Sequence, residues 1–333
     1  MSLYSTYNQF FPPKPTFTEK DVPSQAGRVF IVTGGNSGIG YELCKILYGK
    51  GATVYMTTRS KERAEAAIKT ITQADQPPQT PGQLKFLTLD LNDLTSVKSA
   101  AASFARQESK LDVLWNNAGQ GGYGLPVGAK TVQGLEAFVG AHCVATLLFT
   151  ELLLPQLRAA VATTSAPGSV RVVWTSSFLA EKATPWGGVE FEKLAEGTAD
   201  AVRNYGVSKL GGWMLAREAA RRHGGEGIVS VAQNPGNLNS NVYAGMSPFL
   251  KFFVRLVLYH PRFGAYTELY AGLSPDVSLE NNGAYVIPWG RIQADADFSR
   301  EDIVRAITPE EDGGLGYDKK FWEWCEQQWK PFV

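Results

Sequence analysis

The sequence predicts an α/β fold in which helices cover both faces of a doubly wound, mostly parallel sheet. Short apolar runs rich in β-branched residues alternate with amphipathic segments between residues 28 and 233. Such alternation is typical of consecutive βα units, in which each helix returns the chain to the same end of the sheet. A glycine-rich turn at 34–40, directly after the first apolar run, marks the start of the first crossover helix.

The remaining elements follow from the same patterns in chain order. The run RVFIVT at 28–33 predicts a buried strand because it ends abruptly in glycines. Further strands are predicted at 53–58, 84–89, 111–115, 170–175 and 228–233. Helices are predicted at about 38–49, 61–72, 93–108, 132–157, 204–222 and 319–329.

One domain is expected to account for most of the chain. Residues 1–26, broken by prolines, form an N-terminal extension, residues 27–300 a single domain, and residues 301–333 a C-terminal helical extension. The aromatic stretch at about 237–265 is predicted to be a substrate lid, although extra core packing explains it equally well.

The composition excludes several classes of protein. At 333 residues, with 44% hydrophobic and 19% charged residues, the chain can bury a full core and is not disordered. Lys+Arg and Asp+Glu balance at 32 each, so no overall field attracts nucleic acid. Scattered cysteines and histidines, three of each, indicate reduced thiols and no metal site. With no signal peptide, and an apolar stretch at 249–259 too short to span a membrane, the expected location is the cytoplasm.

The glycine-rich turn predicts a nucleotide site. Its sequence, TGGNSGIG at 33–40, lets the backbone approach a pyrophosphate while the next helix presents its positive N-terminus. At the end of the second strand, where an acidic residue would bind an unphosphorylated ribose, the chain has Arg59. A guanidinium matches a 2′-phosphate, so Arg59 favours NADP(H) unless it is a solvated residue at a helix start.

Several motifs then point to one family. They are TGGNSGIG at 33–40, NNAG at 116–119, YGVSK at 205–209 and NPG at 234–236. Through them the chain resembles the short-chain dehydrogenase/reductase family over roughly 28–240. VVWTSS at 172–177 and GAYVIPWG at 283–290 resemble its retinol-dehydrogenase-like and fungal secondary-metabolism branch. The resemblance implies a Rossmann fold with seven strands in the order 3-2-1-4-5-6-7.

The resemblance also implies which residues hold the cofactor. Asp90 would lie near the adenine, Asn117 would brace the sheet, and Asn239 or Ser240 would replace the family's usual threonine beside the nicotinamide. The implied NADP(H)-binding residues are Gly34, Asn36, Ser37, Gly38, Ile39, Gly40, Arg59, Asp90, Asn116, Ala118, Gly119, Tyr205, Lys209, Pro235, Gly236, Leu238 and Ser240.

Tyr205 and Lys209 are the predicted acid–base pair. Four residues apart on a helix, their side chains lie on one face. A free phenol has a pKa of about 10, and a nearby ammonium favours its ionisation. A serine would hydrogen-bond the substrate oxygen, and Ser177 is preferred to Ser176 because the family's serine is normally the second of such a pair.

His142 departs from the family pattern. GLEAFVGAH at 134–142 places histidine where the resemblance implies a relay asparagine. Histidine can hold a water or exchange a proton near neutral pH, so His142 is a candidate catalytic residue. The alternative is that the relay is lost.

The leading hypothesis is an NADPH-dependent oxidoreductase that interconverts a carbonyl and an alcohol on a bulky, largely apolar small molecule, such as a secondary metabolite. A second hypothesis is a non-redox cyclase or isomerase in the same pocket, motivated by His142. A third is an NADP-sensing protein without turnover. The family resemblance also implies dimerisation through the long helices near 132–157 and 204–222.

Overall fold

An eight-stranded sheet forms the centre of the computed structural model, which describes residues 3–122, 125–164, 166–239 and 258–332. The strands are β1 (Val29–Thr33), β2 (Thr53–Thr58), β3 (Gln83–Thr88), β4 (Val113–Asn116), β5 (Val170–Thr175), β6 (Ile228–Gln233), β7 (Tyr285–Ile287) and β8 (Arg291–Gln293). Their order is β3-β2-β1-β4-β5-β6-β7-β8. The predicted order of seven strands is confirmed, and β8 adds an antiparallel edge.

Helices cover both faces of this sheet. They are α1 (Leu3–Phe10), α2 (Gly38–Gly49), α3 (Lys61–Thr72), α4 (Leu94–Ala105), α5 (Ala137–Val139), α6 (Ala145–Leu152), α7 (Leu154–Thr163), α8 (Leu179–Lys182), α9 (Ala201–His223), α10 (Pro261–Leu273), α11 (Glu301–Ile307) and α12 (Tyr317–Trp329). One hydrophobic core lies under α4, α6, α9 and α12, and the other lies under α2, α3 and α10. Ile31 of β1 enters the first core and its neighbour Phe30 the second, as strand alternation requires.

The long helix predicted at 132–157 is wrong as a single element. The chain instead forms α5, a π-helical turn at Gly140–Val144, then α6, and it bends before α7. Pro155 causes that bend, because a proline is accepted in the first turn of a new helix but not inside an old one. The π turn carries His142.

The extensions at both ends of the chain pack on the central domain. Helix α12 contributes Phe321 and Trp322, both fully buried, to the core beside α9. At the other end, Phe10 of α1 packs edge-on against Phe178, with ring centroids 5.1 Å apart. The predicted extensions are therefore parts of one folded unit.

The predicted lid at 237–265 is described only in part, because residues 240–257 lie outside the described residues. Its last residues begin α10, which packs against α2 and the sheet. In the part of the chain described, no single helix is long and apolar enough to cross a membrane, although the bent pair Ala137–Leu152 and Leu154–Thr163 meets that criterion jointly.

Candidate active site

The candidate site lies at the carboxyl ends of the parallel strands, where the loops after β1, β4, β5 and β6 meet. Doubly wound sheets bind ligands at this edge, at the point where the strand order reverses. Here the reversal falls between β1 and β4. A cleft beside it is lined by Gly34, Thr58, Arg59, Asp90, Ala118 and His142, among others.

The phosphate loop is built for close backbone approach. A Cβ atom at Gly40 would lie 2.6 Å from the Gly34 carbonyl oxygen and 2.7 Å from Asn117 Nδ2, so no larger residue fits there. Helix α2 begins at Gly38, and the side chain of its N-cap, Ser37, makes no capping hydrogen bond. The amide groups at this helix start are thus available to an anion, as a pyrophosphate requires.

The loop after β4 is fixed to β1 by hydrogen bonds. Asn117 Nδ2 donates to the Thr33 carbonyl at 2.8 Å, and the Ala118 amide donates to Thr33 Oγ1 at 2.8 Å. These bonds hold Ala118 and Gly119 along the cleft. The side chain of Asn116, at the end of β4, is buried and donates to Thr150 Oγ1 at 3.1 Å. Its side-chain amide group is therefore turned to α6.

The two residues implied to surround the adenosine line the same cleft. Asp90 Oδ1 accepts hydrogen bonds from the backbone amide and the side-chain amide of Asn92, both at 3.0 Å. Arg59 is exposed and lines the cleft from the end of β2. The cleft therefore has an exposed cation at its rim and a hydrogen-bonded carboxylate in its lining.

Tyr205 and Lys209 lie on the inner face of α9, each about 5% exposed. Lys209 Nζ stands 5.7 Å from the centre of the Tyr205 ring and donates to the Thr175 carbonyl at 2.9 Å. A Cβ at Gly119 would lie 3.0 Å from that ammonium, so the lysine reaches the cleft. Burial lowers the pKa of Lys209 to about 8, opposed by Cys143 and Glu268.

The structure separates the two candidate serines. Ser176 is buried, and its hydroxyl donates to the Lys209 carbonyl at 2.8 Å. Ser177 is half-buried, and its Oγ accepts a 3.3 Å hydrogen bond from the Leu179 amide. Helix α8, which starts there, packs so closely on Gly206 that a Cβ would lie 2.9 Å from the Leu179 carbonyl. The helix that follows Ser177 therefore packs against α9 next to Tyr205.

His142 is buried, and both of its ring nitrogens have protein partners. Nε2 accepts from the Gln120 amide at 3.1 Å, and Nδ1 lies 2.9 Å from Ser208 Oγ. The Ser208 hydroxyl donates to the Tyr205 carbonyl at 2.7 Å, so Nδ1 carries the proton and donates to Ser208. Burial, and then the charge of Lys209, hold the pKa of His142 well below its usual value. The ring is a neutral link between the Gln120 loop and α9.

The turn after β6 closes the other side of the site. Asn234 Oδ1 accepts from the Gly236 amide at 3.1 Å, which fixes the turn containing Pro235. Leu238 is buried and pairs with Tyr259 in an isolated bridge. Ser240, implied to bind the cofactor, lies outside the described residues.

Comparison with known proteins identifies the family. The model of the short chain dehydrogenase family matches residues 28–189. Short-chain dehydrogenase/reductase iacJ of Pestalotiopsis fici is 52% identical over 335 residues, covering 100% of this chain and 99% of the relative. The chain belongs to the short-chain dehydrogenase/reductase family. A second member, from Phomopsis amygdali, is 44% identical and covers 100% of this chain and 98% of its own.

Solved structures show the same fold as this short-chain dehydrogenase/reductase. An uncharacterized protein from Mycobacterium paratuberculosis has a TM-score of 0.68 at 28% identity, covering 94% of this chain and 97% of its own. Pseudomonas aeruginosa RhlG, in an NADP complex, has a TM-score of 0.61 at 24% identity and covers 79% of this chain and 95% of its own.

In this short-chain dehydrogenase/reductase, three residues that organise the site were missed by sequence reasoning. Ser208 lies inside the YGVSK motif, so its position could have found it. Glu268 is the only carboxyl in α10 and lies among uncharged residues at 263–273, which is a detectable signal. Gln9 lies in the N-terminal extension, and no motif or spacing in the sequence marks it as part of the site.

Gln9 joins the N-terminal helix to the site. It is 2% exposed, accepts from Asn234 Nδ2 at 2.8 Å and donates to Glu181 Oε1 at 3.1 Å. One amide side chain thus ties α1 both to the turn before Pro235 and to the helix that follows Ser177.

Replacing Gln9 by alanine is expected to lower the free energy of unfolding by about 1–3 kcal/mol, because two buried polar groups lose a partner. Urea titration measures this loss. Tyr7→Ala is the matched control in the same helix, since Tyr7 is 62% exposed, and it should change stability by no more than about 0.5 kcal/mol. Equal losses in both variants would contradict the assigned role of Gln9.

Proposed function

We propose that the protein is an NADPH-dependent oxidoreductase that interconverts a carbonyl and an alcohol on a bulky, largely apolar small molecule. The observation that carries the proposal is the buried pair Tyr205 and Lys209, whose ammonium lies against Gly119 in the lining of the cleft that begins at the phosphate loop. A protein that only senses nucleotide has no need of this constellation. The relatives come from fungi, in keeping with a secondary metabolite as substrate.

The residues present fit a nicotinamide dinucleotide. The phosphate loop has no room for a side chain at Gly40, and the Ser37 side chain does not cap the start of α2, so both features suit the pyrophosphate. The Arg59 guanidinium in the cleft lining suits the phosphate on the adenosine ribose. When bound, the cofactor gives or takes a hydride. Solved structures of the fold include NADP and NAD complexes, so the preference for NADPH depends on Arg59.

The chain's own residues supply the proton chemistry. In reduction, Tyr205 donates its phenolic proton to the substrate oxygen, while the Ser177 hydroxyl hydrogen-bonds that oxygen. Lys209 lies close enough to Tyr205 to favour the phenolate that remains, and it can also bind ribose hydroxyls. The same groups act in reverse during oxidation.

Turnover assays test the proposal directly. The protein is incubated with NADPH or NADH and a panel of hydrophobic ketones and aldehydes, and cofactor oxidation is followed by absorbance. Oxidation that requires both substrate and Tyr205, and is faster with NADPH, supports the proposal. Conversion of substrate without net cofactor oxidation would instead support the cyclase or isomerase.

His142 acts in this proposal as a positioning residue and not as a proton relay, because both ring nitrogens already have partners. His142→Asn is expected to lower kcat several-fold without moving the pH dependence of turnover between about pH 6 and pH 9, since the ring stays neutral there. Ser208→Ala, which breaks the same link, should have a similar effect. A shift of the pH optimum in His142→Asn but not in Ser208→Ala would instead indicate that His142 relays protons.

A further inference from the structure

A fully buried carboxyl lies beneath the catalytic residues. Glu268, in the middle of α10, is 0% exposed. Its Oε1 accepts hydrogen bonds from Thr175 Oγ1 at 2.9 Å and from Gln233 Nε2 at 2.8 Å. Its Oε2 is buried and has no hydrogen-bond partner within the described ranges. An ionised carboxylate in such a place is costly unless a cation lies near.

Thr175 connects this carboxyl to the catalytic lysine. The side chain of Thr175 donates to Glu268, and its backbone carbonyl accepts from Lys209 Nζ at 2.9 Å. Gln233 Nε2 also donates to Thr175 Oγ1 at 3.0 Å, which completes a small closed network. Two ionisable groups therefore hold opposite sides of one residue at the end of β5.

The charges of these two groups act on each other. Burial raises the pKa of Glu268 to about 8, and Lys209 opposes that rise. Burial lowers the pKa of Lys209 to about 8, and Cys143 and Glu268 oppose that fall. Cys143 stays a thiol, because burial raises its pKa, and His142 stays neutral. Of these four groups, only Glu268 and Lys209 have a pKa of about 8.

Other ionisable groups on or against α10 engage elsewhere. Arg262 and Tyr266 interact with Glu19, and Tyr270 interacts with Asp276. Arg171 of β5 donates to the carbonyls at the far end of the helix, and Cys44 of α2 is a buried thiol of raised pKa.

We propose that Glu268 is a positioning residue of the catalytic lysine, fixing Thr175 against Lys209 and supplying an anion that keeps Lys209 protonated as the pH rises. The inference rests on the proposed function for its catalytic consequence. As the solution becomes alkaline, the Glu268 carboxyl releases its proton to solvent. The resulting carboxylate stabilises the ammonium at the pH where burial alone would remove its charge. Turnover then continues to a higher pH than an isolated buried lysine allows.

Glu268→Gln tests this, because glutamine keeps the volume and the Oε1 acceptor but cannot ionise. The alkaline limb of the kcat–pH profile should move to lower pH by about one unit, since a nearby opposite charge shifts a pKa by about 1–3 units. The KM for substrate at neutral pH should change little. Glu218→Gln is the matched control, since Glu218 is also buried in the body but pairs with Arg221 and Arg222. An unmoved limb in Glu268→Gln, or an equal shift in the control, would overturn the proposal.

An infrared titration provides a readout that does not require turnover. The wild type should show the C=O stretching band of a protonated carboxyl that disappears between about pH 6 and pH 10, and Glu268→Gln should lack it. In Lys209→Met, loss of the cation should keep the band to higher pH, which assigns it even if Glu268→Gln fails to fold. A titration unchanged by Lys209→Met overturns the pairing. Failure of Tyr205-dependent turnover, with these infrared results intact, refutes only the proposed function.

Discussion

Tyr205→Phe is expected to lower kcat for carbonyl reduction by about 10²–10⁴-fold, the range that general acid–base catalysis contributes. Phenylalanine keeps the ring that packs edge-on against Phe138 and His142 and removes only the hydroxyl. The substrate oxygen then has no positioned proton donor. Single-turnover absorbance at saturating NADPH measures the loss in the chemical step.

Two controls separate chemistry from folding. NADPH affinity, measured by fluorescence, should stay within a few-fold, because the phosphate loop and Arg59 are untouched. Tyr55→Phe is the matched variant, since Tyr55 is also buried but its hydroxyl donates to Glu108 at 2.8 Å. It should cost about 1 kcal/mol of stability and leave kcat unchanged. Turnover that survives Tyr205→Phe would refute the proposed mechanism.

Strands and helices with a regular hydrophobic pattern were predictable, because burial or capping by a neighbouring residue is enough to specify each of them. Within the run RVFIVT at 28–33, residues 29–33 are all buried, so burial alone specifies a strand. The helix predicted at 61–72 was found at those bounds, because Ser60 caps it by accepting from the Arg63 amide. The motifs TGGNSGIG, NNAG and NPG each lie where a strand ends, whereas YGVSK lies inside α9.

Features set by contacts between distant segments were not predictable. The π turn at Gly140–Val144 lies in a stretch that is buried almost throughout, so no change in the apolar pattern marks it. The role of His142 depends on Gln120 and Ser208, which are 22 and 66 residues away in the chain. Helix α10 begins in the last residues of the predicted lid and continues to Leu273. The sequence did not predict this helix, because a helix buried on several sides loses the one-sided periodicity that marks amphipathic helices.

Arg59→Asp is expected to reverse the cofactor preference. Losing charge-assisted hydrogen bonds to the 2′-phosphate costs about 1.5–3 kcal/mol, which is roughly a 10- to 100-fold weaker Kd for NADPH. The new carboxylate repels the phosphate further and accepts a hydrogen bond from the ribose hydroxyl of NADH, so the Kd for NADH should tighten. Fluorescence titration with both cofactors measures the two changes separately.

Arg63→Asp distinguishes a direct contact between Arg59 and the phosphate from a general effect of positive charge near the cleft. Arg63 is exposed one turn along α3, so the substitution makes the same change in net charge close to the same cleft. If Arg59 binds the phosphate directly, Arg63→Asp should weaken NADPH binding only slightly, and added salt should remove that difference. An equal effect of both variants would mean that the cleft attracts NADPH by its field alone. The preference would then have to come from Thr58 and the backbone at the end of β2.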